Sequence, residues 1–280
     1  MASATPVGIV YFGSRVPRGA RQERCVIEER PLTIEVLGAG QYTIMRTPGD
    51  EEDLIAGFLL SEGMIDRVDE ISWMEPCYRS ADLYRVRLCE GMVRKVQRNL
   101  VINSSCGLCG RAEIQKLVRA QGTVTDGIQV TGEVLYRLPG LVRSRQALFQ
   151  KTGASHAAAL FDAAGAVLAL REDLGRHNAM DKLLGGALLS GLPVEGQGVF
   201  LSGRVSVELV LKAARARLAV IAAVSAASSL AVEAARDLGV TLCGFVRGEE
   251  FAIYSHERRI VGGQACGCRC PASPGSASST

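Results

Sequence analysis

Between Val199 and Val246 three short apolar runs alternate with two amphipathic stretches, and the first two runs each end in a small or basic loop, with no internal repeat. Val199–Leu201, Leu218–Val224 and Val240–Val246 read as buried strands; Ser206–Ala216 and Leu230–Leu238 read as the helices between them, and Phe251–Tyr254 reads as a further strand. Strands that alternate with helices predict a sheet covered by helices, the α/β arrangement. Upstream, His156–Phe161 and Ala166–Leu170 form a hairpin pattern across Asp162-Ala163-Ala164-Gly165. A helix follows with Ala179, Met180, Leu183, Leu184, Ala187 and Leu188 on one face.

The first hundred residues follow a different grammar. Residues 1–24 are expected to be irregular and flexible. Leu32–Leu37 and Gln41–Arg46 read as strands around a Gly38-Ala39-Gly40 turn. Thr47-Pro48-Gly49-Asp50 is a helix-start signal ahead of Leu54, Ile55, Phe58 and Leu59 at helical spacing. Leu83–Cys89 alternates, with Tyr84, Val86 and Leu88 on one face and Arg85 and Arg87 on the other, as a half-buried strand does. The expected organisation is therefore a small α+β domain over 25–103, a mobile loop over 104–111, an α/β domain over 112–265, and a cysteine-rich tail over 266–280 that is disordered from Pro271.

Composition narrows the chemistry. The 280 residues carry 32 basic and 29 acidic side chains, too even a balance to indicate nucleic acid or an anionic membrane as partner. The arginine clusters Arg85, Arg87, Arg94 and Arg98, and Arg215 with Arg217, read as solvated faces, with anion binding as the alternative. The longest apolar run, Leu218–Val232, is short and broken by serines, so no membrane span is expected. The N-terminal apolar run Val7–Phe12 has no basic residue before it, so a secretory signal is not expected either. A cytoplasmic location follows, where thiols stay reduced, and nine cysteines then point to reactive or ligating thiols rather than a disulfide framework.

Two of those thiols stand out in Ser104-Ser105-Cys106-Gly107-Leu108-Cys109-Gly110. Asn99–Asn103 before them reads as a strand and Ala112–Ala120 after them as a helix, whose positive end favours a thiolate. Cys106 and Cys109 fit half of a zinc site, a thioredoxin-like redox pair, or a sulfur carrier in which one thiolate holds a persulfide and the other assists. A zinc site would need two more ligands, and Cys266, Cys268 and Cys270 have poor spacing for a tetrahedral one.

His156 sits in Gly153-Ala154-Ser155-His156-Ala157-Ala158, where a zinc deaminase would place His-x-Glu. Here Ala158 occupies the glutamate position and no Pro-Cys-x-x-Cys follows, so deaminase chemistry lacks its proton shuttle and its ligands. A buried, hydrogen-bonded histidine and a pocket residue both fit His156. Arg176, His177 and Asn178 open a helix at the end of a strand, where open α/β sheets place ligands, against a plainer reading as capping by Asp173 with surface salt bridges. Ser202-Gly203-Arg204 and the loop from Ser225 are two further strand ends of the same kind, and together the three favour a phosphate-bearing ligand. There is no P-loop and no G-x-G-x-x-G.

SSCGLCG, TGASHAAALF, REDLGRHNAMDKLLG, LSGRVSVELV, AVSAASSLAVEAA and GFVRGEEFAIYSHERR occur in the order and spacing of the formate dehydrogenase accessory sulfurtransferases, the FdhD type, and the chain resembles that family over residues 25 to 262. The resemblance implies a large domain similar to cytidine deaminase, a three-layer α/β/α arrangement. It implies a protein that takes sulfane sulfur from a cysteine desulfurase and passes it to the molybdenum bis(molybdopterin guanine dinucleotide) cofactor of formate dehydrogenase. Cys106 would bear the persulfide and Cys109 would be its partner thiol. Phe245, Val246, Arg247, Gly248, Glu249 and Glu250 would match the cofactor-binding segment, with the strand-end loops completing a groove for guanine, ribose and pyrophosphate. A homodimer is the family expectation, with no tightly held metal of its own. A cofactor-binding chaperone without sulfur transfer and a metal-binding structural protein are the alternatives. The segment Cys266-Gly267-Cys268-Arg269-Cys270 is not part of the family pattern and reads as a reactive tail.

Overall fold

The structure is a computed structural model that describes residues 4–13, 16–78, 80–91 and 111–262. The strand expected over 99–103, Cys106, Cys109, Arg94, Arg98 and the tail cysteines Cys266, Cys268 and Cys270 lie outside the described residues.

Residues expected to be irregular at the N-terminus instead form an antiparallel ribbon, β1 (Ala4–Gly13) with β2 (Val16–Ile27). The expectation failed because this stretch lacks the alternation of buried and polar residues that marks a half-buried strand; most of its described side chains are exposed. β3 (Arg30–Val36), β4 (Gly40–Arg46), β5 (Ile71–Cys77) and β6 (Ser80–Leu88) make a four-stranded sheet in the order β4-β3-β6-β5, with β3 and β6 parallel. The strand β5 had not been foreseen; Pro76 and its charged neighbours obscure it and suit the edge position it occupies.

Helix α1 (Glu51–Ser61) starts where the Thr-Pro-Gly-Asp signal puts it, although Asp50 takes a left-handed conformation and its side chain caps nothing. Every residue from Leu54 to Leu60 is buried, so this helix is apolar all round and must be covered on all sides. The N-terminal sheet covers one side through Leu32, Ile34, Val36 and Val86. Helix α5, described below, covers another.

α2 (Arg111–Ala120) is followed by the short β7 (Val130–Thr131), α3 (Gly132–Arg145) and α4 (Ala147–Thr152). Then come β8 (His156–Phe161), β9 (Val167–Asp173), α5 (Arg176–Ser190), β10 (Gly198–Leu201), α6 (Val207–Arg215), β11 (Val220–Ala223), α7 (Ser229–Asp237), β12 (Thr241–Arg247), β13 (Glu250–Ser255) and β14 (Ile260–Val261). The six longer strands form one sheet in the order β13-β12-β11-β10-β8-β9. Its centre, β10-β11-β12, is parallel, and every residue of β10 and β11 is buried, as strands covered on both faces must be.

The two sheets share one continuous hydrophobic core that runs from Leu32 to Val246. At its middle α1 crosses α5 with almost no gap: a Cβ on Gly57 would collide with the Asp181 carbonyl, and one on Gly185 with the Asp53 carbonyl. Arg215, expected on a solvated face, instead donates to the Leu60 and Ile65 carbonyls at 3.2 and 3.1 Å and pairs with Asp66, tying α6 to the end of α1. The deepest tie is ionic. Lys182 and Asp173 are both fully buried with Nζ 2.8 Å from Oδ2. Lys182 also donates to the Thr47 carbonyl at 2.9 Å, and the Thr47 amide donates to Asp173 at 3.1 Å.

Removing one partner of a buried pair leaves an uncompensated charge. Lys182→Met is therefore expected to cost about 3–5 kcal/mol of stability, read as a lowered urea midpoint.

Candidate functional site

The sheet's register gathers the predicted residues. β10, β11 and β12 run parallel, so their carboxyl ends share one edge. β8 is antiparallel to β10 and β9 to β8, which brings the start of β8 and the end of β9 to that same edge. His156, Arg176–Asn178, Ser202–Arg204, Ser225 and the Phe245–Glu250 hairpin all end there.

Backbone bonds knit these loops together. Ser202 Oγ accepts from the Ala157 amide at 2.8 Å. The Val205 amide donates to Ala226, the Ser228 amide to Val205, and the Phe245 amide to Ser225, at 3.0 to 3.2 Å. Gly203 lies flat against the imidazole of His156: a Cβ there would stand 3.0 Å from Nδ1. Phe245 is held at φ +55°, beside a register shift between Gly244 and Arg247. A bulky side chain in the left-handed region is strained, and such strain concentrates at ligand sites. The Phe245 ring is 39% exposed, and the Arg247 guanidinium carbon sits 5.5 Å from its centroid. Gly248, Glu249 and Glu250 are exposed at the hairpin turn. Val246 is fully buried and belongs to the core.

Charge at this edge is lopsided. Neither Arg176 nor Arg204 has a hydrogen-bond or ion-pair partner within bonding distance among the described residues, and the buried Nε of Arg176 is unsatisfied. His156 is held below the ordinary histidine value by burial first, then by Arg176, His177 and Arg204, with Asp173 opposing. His177 is occupied: its Nε2 lies 3.0 Å from Glu208 Oε2 and 2.9 Å from Ser206 Oγ. The His177 hydrogen bond holds the Glu208 carboxyl below its usual range, against the opposing effect of burial. The amide of Asn178 faces inward, donating to the Met45 carbonyl at 2.7 Å and to Asp173 at 3.0 Å.

Asp173 is thus no surface cap. Its Oδ1 accepts from the Gly175 amide at 2.9 Å as well as from Asn178, and the whole carboxylate is buried. Thr47, Lys182, Ser206 and Glu208 shape the site and were not singled out by sequence. The one sequence signal was a pair of charges, Asp181-Lys182, inside an otherwise apolar helix.

Cys243 sits inside β12, fully buried, with its thiol pushed up to about 12 by that burial. Cys25 is exposed, and Cys77 and Cys89 are half-buried. Among the described residues no three His, Cys, Asp or Glu side chains are grouped to hold a metal ion, and no helix is long and apolar enough to cross a membrane. The helix that follows Cys109 leads to the opposite edge of the sheet. The Val124 amide donates to Leu238 at 2.8 Å and the Ile128 amide to Gly196 at 2.8 Å. The buried Arg259 clamps the Val124 and Gly239 carbonyls at 3.1 and 2.8 Å.

The fold and edge define an α/β protein with a cationic strand-end site, joined to a small α+β sheet through a shared core. A family model described as the FdhD/NarQ family matches residues 27–261, and the chain belongs to that family. It is 42% identical over 263 residues to the "Sulfur carrier protein FdhD" of Streptomyces avermitilis, covering 88% of this chain and 93% of that one. It is 40% identical over 257 residues to the protein of the same name from Sulfurisphaera tokodaii, covering 90% and 98%. The fold is that of a crystal structure from Desulfotalea psychrophila described as a formate dehydrogenase accessory protein, with a TM-score of 0.71 at 24% identity over 93% of this chain and 99% of that one.

Glu208 has a lowered folded value, so its ion pair stabilises the protein above the unfolded carboxylate value and is lost as pH falls through the folded one. Wild type is expected to exceed Glu208→Gln in melting temperature at pH 6, with the difference shrinking as pH falls below the ordinary carboxylate value of about 4.3 and on through the lower folded one. Thermal unfolding across a pH series measures this.

Proposed function

We propose that this protein is a sulfur carrier that receives sulfane sulfur from a cysteine desulfurase on Cys106 and delivers it to the molybdenum bis(molybdopterin guanine dinucleotide) cofactor destined for formate dehydrogenase. The observation that carries the reading is the Cys106-Gly107-Leu108-Cys109 pair in a chain about 40% identical to proteins named as sulfur carriers. The strand-end edge supports the second half of it, because Arg176 and Arg204 make no hydrogen bond or ion pair among the described residues, and Phe245 offers an exposed ring for a planar base.

The Cys106 thiolate attacks the terminal sulfur of the desulfurase persulfide. A new S–S bond forms on Cys106, and the desulfurase leaves as a thiolate. For release, the Cys109 thiolate attacks the Cys106 sulfur. This forms a Cys106–Cys109 disulfide and expels the terminal sulfur as hydrosulfide, the form in which it enters the cofactor. Two thiol sulfurs are oxidised and one sulfane sulfur is reduced, so each further turnover calls for a dithiol reductant. The reading places this chemistry in the cytoplasm, in a homodimer, and treats the larger sheet with its helices as a cytidine-deaminase-like three-layer unit. The deaminase glutamate position is Ala158, in keeping with a fold that retains the pocket and not the hydrolytic chemistry.

Intact-mass spectrometry after incubation with a cysteine desulfurase and L-cysteine tests the assignment. A reductant-labile gain of one sulfur atom on wild type, kept when the chain is truncated before Cys266 and lost in Cys106→Ala, is the expected result. No gain on a wild-type protein that still binds the cofactor would leave an escort role in its place. In the same samples Cys25 is expected to alkylate with iodoacetamide and Cys243 to stay unlabelled until denaturant is added.

A further inference from the structure

The strand-end edge sets three potential cations, Arg176, Arg204 and His156, near the carboxylate of Asp173, while His177, Glu208, Arg247, Glu249 and Glu250 are further charged groups on the same loops. Arg176 and Arg204 are permanently charged. Neither has a partner within bonding distance among the described residues, and the Arg176 Nε is buried without an acceptor. The third group, His156, lies against the Gly203 backbone on the first residue of β8, within electrostatic reach of both arginines. The groups that act on it come from every loop meeting there: Arg176 and His177 from α5, Arg204 from the loop after β10, and Asp173 from the end of β9. Asp173 is already committed to Lys182, so it gives His156 little relief. His177 is likewise committed, to Glu208.

Such a site faces a conflict. With His156 protonated, three positive charges would lie close together at this edge, only Arg204 among them exposed to solvent, and a neutral histidine lessens their repulsion. A phosphate-bearing ligand reverses the field, because a dianion close to the imidazole favours its protonated form. We propose that phosphate oxygens arriving between Arg176 and Arg204 draw a proton onto His156, so that ligand binding at this edge takes up a proton. The charged imidazole then donates a hydrogen bond to the ligand that the empty site could not offer, and the affinity of the edge for phosphates rises as the pH falls. This rests on reading the edge as the site for the guanine dinucleotide, and it adds which side chain senses the charge of that ligand.

The chain contains three histidines, His156, His177 and His256, so their imidazole resonances can be followed one by one through a pH titration by NMR. Comparison of His156→Gln and His177→Gln with wild type assigns the signals. Guanosine diphosphate is the probe, since it carries the base, ribose and pyrophosphate of the dinucleotide. Without it, His156 is expected to titrate below the ordinary histidine range. At saturation its midpoint is expected to rise by about one pH unit, which corresponds by linkage to about a tenfold gain in affinity between the alkaline and acid limits. That gain should be absent in His156→Gln, whose remaining pH dependence reports the titration of the phosphate itself. Calorimetric binding with an unmoved or lowered His156 midpoint overturns the proton coupling and leaves the edge as the ligand site. No binding at any pH overturns both the coupling and the assignment of the edge.

Discussion

The buried contact among Asp173, Lys182 and Thr47 is the constraint on which the rest of the molecule depends. Each of the two charged groups is fully removed from water, a state tolerated only when geometry and extra hydrogen bonds compensate for the lost hydration. Here both conditions hold. Lys182 has a carboxylate and a carbonyl, and Asp173 has an ammonium, two backbone amides and the Asn178 side chain. The three residues belong to three different places: the end of β4, the end of β9 and the second turn of α5. Satisfying all of them at once sets how the N-terminal sheet meets the larger one.

The same contact reaches the site. Asp173 anchors the Gly175 amide and Asn178, which fixes the first turn of α5 and with it the bases of Arg176 and His177. Lys182 holds the helix from below, and the close crossing at Gly57 and Gly185 leaves α5 no room to shift against α1. An edge built from loops thereby becomes a rigid cationic surface. Rigidity matters because ligand charges are recognised most strongly by groups that do not have to reorganise to meet them. The chain between Thr123 and Ile128 is pinned to the other edge of the sheet, by Arg259 among others, so the two edges are organised by separate sets of bonds.

Sequence reasoning succeeded where local rules suffice. The strands from β8 to β13 and the three helices among them announced themselves through periodicity, and the strand-end position of His156, Arg176, Ser202 and Ser225 followed from their order. It failed where a residue's role is made by a distant partner. Sequence reasoning assigned Lys182 no role of its own, and in the fold it donates to a carbonyl 135 positions away. Asp173 looked like a cap and is a buried counter-ion. Arg215 looked solvated and is a clamp. The β1–β2 ribbon was invisible because most of its described side chains are exposed, so burial left no alternation in its sequence.

What the sequence determined by itself is the family, the alternating α/β plan and the identity of the chemical groups, including the paired thiols of Cys106 and Cys109. These are written in short-range patterns that need no knowledge of the third dimension. Only the tertiary structure decided which charges are paired and which are left over: Lys182, Lys212 and Arg215 are neutralised by partners across the core, while Arg176 and Arg204 make no ion pair among the described residues. The physical reason is that charge pairing acts over a few ångströms in space, whatever the separation along the chain, and a sequence records the charges but not their distances.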